Sequence, residues 1–278
     1  MSTQISAITL GVSDIDRARR FYSEGLGCPV EKDHGTFVTL SLGDGSSTLS
    51  LYTWDALAAD AGVTADSSGF RDFTLSYIAG SAAQVDVVLA AAERAGGAIT
   101  KPAKRAFWGG YSGYFTDPGG YHWKVASPNG PPIVRRRPQT RPHPDALVTL
   151  KPQETCVTIG AKDIKRAKQF YSEGLGCHVD KSYSKFVSFN LGAASSTLAL
   201  YTRDGLAADA GVTADGHGFH GFTLSYIADS AEEVDEMLAA AERAGGAITK
   251  PAENESWGGY GGYFTDPDGN LWKVASGA

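Results

Sequence analysis

Cysteine is scarce in this sequence: Cys28, Cys156 and Cys177 among 278 residues, with no Cys-x-x-Cys. An odd, sparse set builds no disulfide framework and suits a reducing compartment, so a cytoplasmic protein is expected. Surplus positive charge is missing too. Lysine and arginine number 25 against 31 aspartates and glutamates, a formal net charge of −6. A nucleic-acid binder needs the opposite, so no nucleic-acid partner is expected. No apolar run approaches the roughly 20 residues that cross a bilayer, which argues against a membrane partner. The opening MSTQISAITLGVSD has neither a basic stretch nor a long apolar one, and no signal peptide is expected. The glycines of GGYSGYF are followed by no Gly-Lys-Ser/Thr, which excludes a phosphate loop. What remains is a globular composition, 42% hydrophobic and 20% charged, able to bury a core.

What is present is a repeat. FYSEGLGC stands at 21–28 and again at 170–177, and AAAERAGGAITKPA at 90–103 and 239–252. YTWDALAADAGVTAD at 52–66 returns as YTRDGLAADAGVTAD at 201–215. Each pair is offset by 149 residues without a gap, and about two-thirds of the aligned positions are identical. Two copies of one domain follow, at 1–127 and 151–278. Between them, 128–150 is a Pro/Arg-rich linker; proline there blocks regular pairing, and Arg135, Arg136, Arg137 and Arg141 read as a solvated tether.

Within the first copy, residues 5–12 have strand composition. Asp14 suits a helix N-cap, and Ile15, Ala18, Tyr22 and Leu26 recur at helical spacing. Residues 36–42 and 47–53 alternate as half-buried strands, and 54–69 reads as a loop with a short helix at DALAADAG. The order then recurs. A strand at 69–78 is followed by a helix capped by Ser81, then by AITKPA and by two strands joined through a DPGG turn. Each copy therefore reads as β-α-β-β-β twice, an α+β fold.

This order, with LGVSDIDRARRFYSEGLGC in front and GYFTDPDGNLWKVA behind, resembles the vicinal-oxygen-chelate superfamily of glyoxalase I, extradiol dioxygenases and bleomycin-resistance proteins. The resemblance covers both copies and implies two tandem domains, each a pair of β-α-β-β-β units forming a curved mixed sheet around a cavity. The high identity between the copies suggests an internal pseudo-dimer, to which further homodimerisation can be added. In the family's metal enzymes the cavity holds a divalent cation. Carried over by position, the ligand set falls on Ala7 or Cys156, on or next to Phe73 or Phe222, and on Lys124 or Lys273. A protonated lysine has donors and no lone pair. The expectation is therefore a cavity without metal or other cofactor.

The candidate ligand-binding residues follow from strand alternation and from the resemblance. Lys124 shares a strand face with His122. Tyr114 precedes the hairpin, and Trp108 and Tyr111 lie in the WGGY segment. Tyr52 ends another strand beside Trp54. In the second copy the set is Lys273, Tyr263, Trp257, Tyr260 and Tyr201. Flat aromatic walls with a cationic head suit an aromatic or apolar small molecule. The expected function is sequestration or self-resistance in the manner of bleomycin-resistance proteins, and no catalytic residue is assigned. One alternative is a divalent-metal lyase, isomerase or dioxygenase with ligands relocated to His122, His217, His220 or Cys156. Another is a metal-free enzyme using Lys124 as acid or base. The copies differ at Trp54/Arg203, His34/Tyr183, Lys104–Phe107/Glu253–Ser256 and His122/Leu271, so two cavities should not bind one ligand equally.

Overall fold

The computed structural model describes residues 3–106, 109–130, 154–192, 195–256 and 258–277. Most of the linker, Trp108 and Trp257 lie outside the described residues. The first unit runs Ala7–Val12, helix Ile15–Arg20, Val30–Asp33, Phe37–Leu40 and Thr48–Thr53. Asp14 starts the helix by accepting a hydrogen bond from the Arg17 amide at 2.8 Å. The helix then widens into a π turn, Phe21–Gly25, which turns both Phe21 and Tyr22 into the core. The second unit runs Phe73–Ile78, helix Ala82–Arg94, Ala98–Arg105, Tyr111–Thr116 and His122–Ser127. The second copy repeats both units.

The expected α+β architecture is present, with two eight-stranded mixed sheets. One sheet runs, in hydrogen-bonded order, Ala247–Asn254, Tyr260–Thr265, Leu271–Ser276, Phe222–Ala228, Ala7–Val12, Thr48–Thr53, Phe37–Leu40 and Val30–Asp33. At its centre Ala7–Val12 pairs antiparallel with Phe222–Ala228. The first unit of copy one thus shares a sheet with the second unit of copy two. The other sheet reverses the assignment, pairing Glu154–Ala161 with Phe73–Ile78. The chain crosses between sheets after the helix Trp54–Asp60, where Ser67–Gly69 pairs with its own repeat, Gly216–Gly218.

Equivalent residues meet across the resulting internal two-fold, as in an isologous dimer. The Ser47 amide donates to Ser196 Oγ at 3.2 Å, and the Ser196 amide to Ser47 Oγ at 3.0 Å. Phe73 stacks on Phe222 with ring centroids 3.9 Å apart. The two seams flanking this contact are not alike. In one, Trp54 lies over Gly221, whose φ is +76°, and a Cβ there would sit 2.3 Å from the indole. In the other, Arg203 Nε binds both Asp72 carboxylate oxygens at 2.6 and 2.8 Å, and Asp72 itself has φ +54°. Arg71 stacks over Trp54 and Tyr121 in the first seam.

The hairpin motif has a structural reason. Asp117 Oδ1 accepts from the Gly119 and Tyr121 amides at 2.9 and 2.8 Å, closing the turn. Its other oxygen accepts from the Tyr22 hydroxyl, which in turn receives Trp123 Nε1 at 3.0 Å. The Phe-Tyr turn, the Asp-Pro hairpin and the tryptophan of Trp-Lys-Val-Ala are therefore one buried network, repeated at Tyr171, Asp266 and Trp272. In copy two the turn also carries Asp268, where copy one has Gly119. Burial and Asp266 push the Asp268 carboxyl up to about 6. A raised carboxylate costs stability as pH rises from its ordinary 3.8 through 6. Asp268→Asn should therefore raise stability at pH 7.5, and show no gain at pH 3.5, in urea denaturation. An equal gain at both pH values would exclude this origin.

No helix among the described residues is long and apolar enough to cross a membrane.

Candidate functional site

One face of each sheet is covered by helices and the other curves into a cup. Alternation sorts the last strand: Trp123 and Val125 are buried on the helix side, while Lys124 turns to the cup. Gly113 marks the helix side of the neighbouring strand, since a Cβ there would meet Leu89 of the helix at 2.7 Å. Tyr114 therefore faces the cup with Lys124, its partner across the ladder.

The first cup holds a cavity of about 520 Å³. Its floor carries a row of hydroxyls on adjacent strands, Ser50, Thr9 and Thr223, with Ser225 and Ala7 paired in the next row and Ala275 beyond them beside Ile227. Phe37, Tyr52 and Leu57 form an apolar wall, and Ile227 stands at the rim. Phe37 and Tyr52 meet edge to face at 5.7 Å. Thr223 is 1% exposed, and its Oγ1 has no partner among the described residues.

The opposite wall is the charged head. Lys273 Nζ lies 3.1 Å from Asp60 Oδ2, which also accepts from the Tyr263 hydroxyl. Asp60 ends the helix Trp54–Asp60 of copy one, whereas Lys273 and Tyr263 belong to copy two. Burial pushes the Asp60 carboxyl up. The Tyr263 hydroxyl, Lys273 and Lys250 outweigh it and hold the group below the usual carboxylate range. Burial and Asp60 raise the Tyr263 phenol far above its ordinary value, so it remains a donor. Lys250 reaches Glu255 and Glu253, each at 3.2 Å.

The second cup repeats the head. Lys124 Nζ lies 2.6 Å from Asp209 Oδ2, which accepts from the Tyr114 hydroxyl. Burial raises the Asp209 carboxyl, but Lys124, Tyr114 and Lys101 together hold it below the ordinary range. Phe186 and Tyr201 repeat the aromatic wall at 6.3 Å.

The residues singled out in the sequence thus divide. Lys273, Tyr263 and Tyr52 line the first cavity. Lys124, Tyr114 and Tyr201 hold the matching positions in the second cup. Tyr111 and Tyr260 turn to the other face, donating to Asp86 and Asp235 at 2.9 and 3.0 Å on the covering helices. Trp54 also lies elsewhere. It packs on Phe219 in the seam, and its Nε1 donates to the Ala65 carbonyl at 2.9 Å. His122 shares the strand face of Lys124 but sits deeper, edge-on to Phe70 at 5.9 Å. Burial and Arg71 depress its imidazole below the ordinary value. Trp108 and Trp257 lie outside the described residues.

Asp60 and Asp209 escaped the sequence reading. The only signal for them was that LAADAGVTAD is retained unchanged in both copies, in a segment read as a loop with a short helix at DALAADAG.

A divalent ion does not fit these cups. In the first cup the family's first-strand position is Ala7, which has no donor atom, and the last-strand position is an ammonium held by Asp60; in the second, Cys156 offers a single thiol and the last-strand Lys124 is held by Asp209. Among the described residues no three His, Cys, Asp or Glu side chains gather as a ligand set. His220 lies in the seam, with Nδ1 3.0 Å from Asn270 and Nε2 3.9 Å from Asp72. His217 is exposed on the ribbon that crosses between the sheets.

Two cups, each built from paired β-α-β-β-β units with its site between sheet and crossing helix, define the glyoxalase class of fold. The family model described as the Glyoxalase/Bleomycin resistance protein/Dioxygenase superfamily matches residues 4–125 and 155–274, and the chain belongs to that superfamily. Glyoxalase I from Zea mays is similar in fold, with TM-score 0.63 and 15% identity over 99% of this chain and 92% of that one. A single-residue mutant of the Zea mays enzyme aligns with TM-score 0.66 and 16% identity over 99% and 94%. A glyoxalase-related enzyme from Fulvimarina pelagi is 26% identical over 44% of this chain and 86% of its own, with TM-score 0.40. No curated protein matches the chain.

Proposed function

We propose that the chain is a small-molecule binding protein whose cups hold an apolar or aromatic ligand without a metal ion, a sequestering member of its superfamily. One observation carries this reading: in a cavity of about 520 Å³, the metal-ligand position is filled by Lys273 in an ion pair with Asp60. A cavity of that size, with an aromatic wall and a few convergent polar groups, has the make-up of a ligand pocket. The hydroxyl floor and the Tyr263–Asp60–Lys273 head offer hydrogen bonds to a ligand's polar edge. Phe37, Tyr52 and Leu57 take its apolar body.

The test is calorimetric titration of the full chain with 2-naphthamide, with and without EDTA. Saturable binding is expected, unchanged by EDTA. Ala7→Phe, which fills the first cavity from its floor, should weaken binding there by at least tenfold. Binding that needs an added divalent ion, or no saturable binding at all, would overturn the reading.

A further inference from the structure

The two cups share walls and head groups but not charge. Lys273, Tyr263, Asp60 and Lys250 of the first correspond to Lys124, Tyr114, Asp209 and Lys101 of the second. The strand segment passing over the head does not correspond. In the first cup it brings Glu253 and Glu255, and both bind Lys250 at 3.2 Å. The Glu255 side chain is only 9% exposed and lines the cavity. Two ammonium groups there face three carboxylates.

In the second cup those positions are Lys104 and Ala106. Lys101 lies 3.5 Å from Asp209 Oδ1 and donates to the Asp209 backbone carbonyl at 2.7 Å, while Lys124 takes Oδ2. Both ammonium groups flank the Tyr114 ring, at 5.6 and 5.4 Å. Two ammonium groups therefore share one carboxylate, with a third lysine where the first cup has Glu253. At the mouth, Thr36 of the first cup becomes the exposed Lys185. On the face of Lys124, His122 replaces Leu271, and its Nδ1 is buried without a partner among the described residues. Ser50 of the first floor becomes Ala199 and loses a hydroxyl, but every exchange that alters charge moves the second cup toward positive. A concave site lined by one sign of charge concentrates ligands of the other.

We propose that the second cup is an anion-accepting site, taking a small aromatic or apolar molecule that carries one carboxylate or comparable oxyanion. The first cup takes a neutral ligand. This division of labour rests on the binding reading above. The anion meets Lys101 and Lys124 beside Tyr114, while its apolar body lies against Phe186 and Tyr201.

The experiment compares 2-naphthoate with 2-naphthamide, a shape-matched charged and neutral pair, by calorimetry on the full chain. Ala7→Phe silences the first cup, so the second is read alone. There naphthoate should bind at least tenfold more tightly than naphthamide. Lys101→Gln should remove that preference, as should 1 M NaCl. The reciprocal variant E253K/E255A should give the first cup of the otherwise unaltered chain a preference for naphthoate. Equal affinity of the two probes for the second cup, or a naphthoate preference untouched by Lys101→Gln, would overturn the proposal. If naphthamide binds and naphthoate binds nowhere, the anion assignment fails and the binding reading stands. If neither probe binds, both fail.

Discussion

Gly221→Asp is expected to destabilise the protein by about 4 kcal/mol, lowering the melting temperature by roughly 10 °C. Three effects act together. A Cβ at this position sits 2.3 Å from Trp54 and 2.6 Å from the Tyr121 hydroxyl. The backbone, at φ +76°, carries a side chain only with strain. The carboxylate also arrives without the two-point arginine that holds Asp72, because Trp54 stands in the place of Arg203 and Arg71 is stacked over Trp54 and Tyr121. The same residue is tolerated at the matching position of the other seam because Asp72 has Arg203 as its partner. Trp54→Arg together with Gly221→Asp should therefore recover at least half of the loss, by installing in one seam the pair that holds the other. Thermal melts of the four proteins form the cycle. Additive losses, with no recovery in the double variant, would show that residues 54 and 221 do not meet across the copies.

Asp60→Ala is the second large effect. Lys273 and the Tyr263 hydroxyl lose their common partner, and Lys250 loses one of three. Removing the shared carboxylate from such half-buried groups should cost about 2 kcal/mol. Binding of 2-naphthamide in the first cup should fall at least tenfold, because the head that orients it is no longer fixed. The second cup, whose carboxylate is Asp209, should be unaffected. A pH arm accompanies this. The Asp60 carboxyl is held below its ordinary 3.8, so its contribution is present above that value and is lost as pH falls through the lowered one. In Asp60→Asn, urea midpoints should fall less steeply below pH 4 than in the parent protein. A parallel decline would place the pair's contribution at zero.

Much of the fold was legible because its signals are local. The 149-residue offset, the caps at Asp14 and Ser81 and the Asp-Pro turns each lie within a few residues of what they determine. Val30–Asp33 was missed for a physical reason: all four residues are exposed at a sheet edge, so no alternation marks them as a strand. AITKPA proved to be the start of a longer edge strand, Ala98–Arg105, whose register shifts on both sides of Lys101 make room for Pro102.

The candidate site was half legible. Alternation put Lys124 on one strand face with His122, and that face proved to be the cup. Nothing local revealed that Asp60 would reach Lys273 across 213 residues, because that contact depends on which halves share a sheet. Trp54 illustrates the same limit. It adjoins the cup residue Tyr52 in sequence, yet opens the next helix and so turns into the seam. The aromatic pattern identified which residues were inside. It could not say inside what.

The most direct test of the central claim, that the lysine–aspartate heads have replaced a metal site, is metal content measured alongside binding. The chain is purified without chelator, exposed in turn to Mn, Fe, Co, Ni and Zn salts, dialysed, and analysed for retained metal. Each sample is then titrated with 2-naphthamide. The account predicts no stoichiometric metal and the same affinity in every sample. Retention of about one ion per cup, with binding that disappears when the ion is removed, would contradict it.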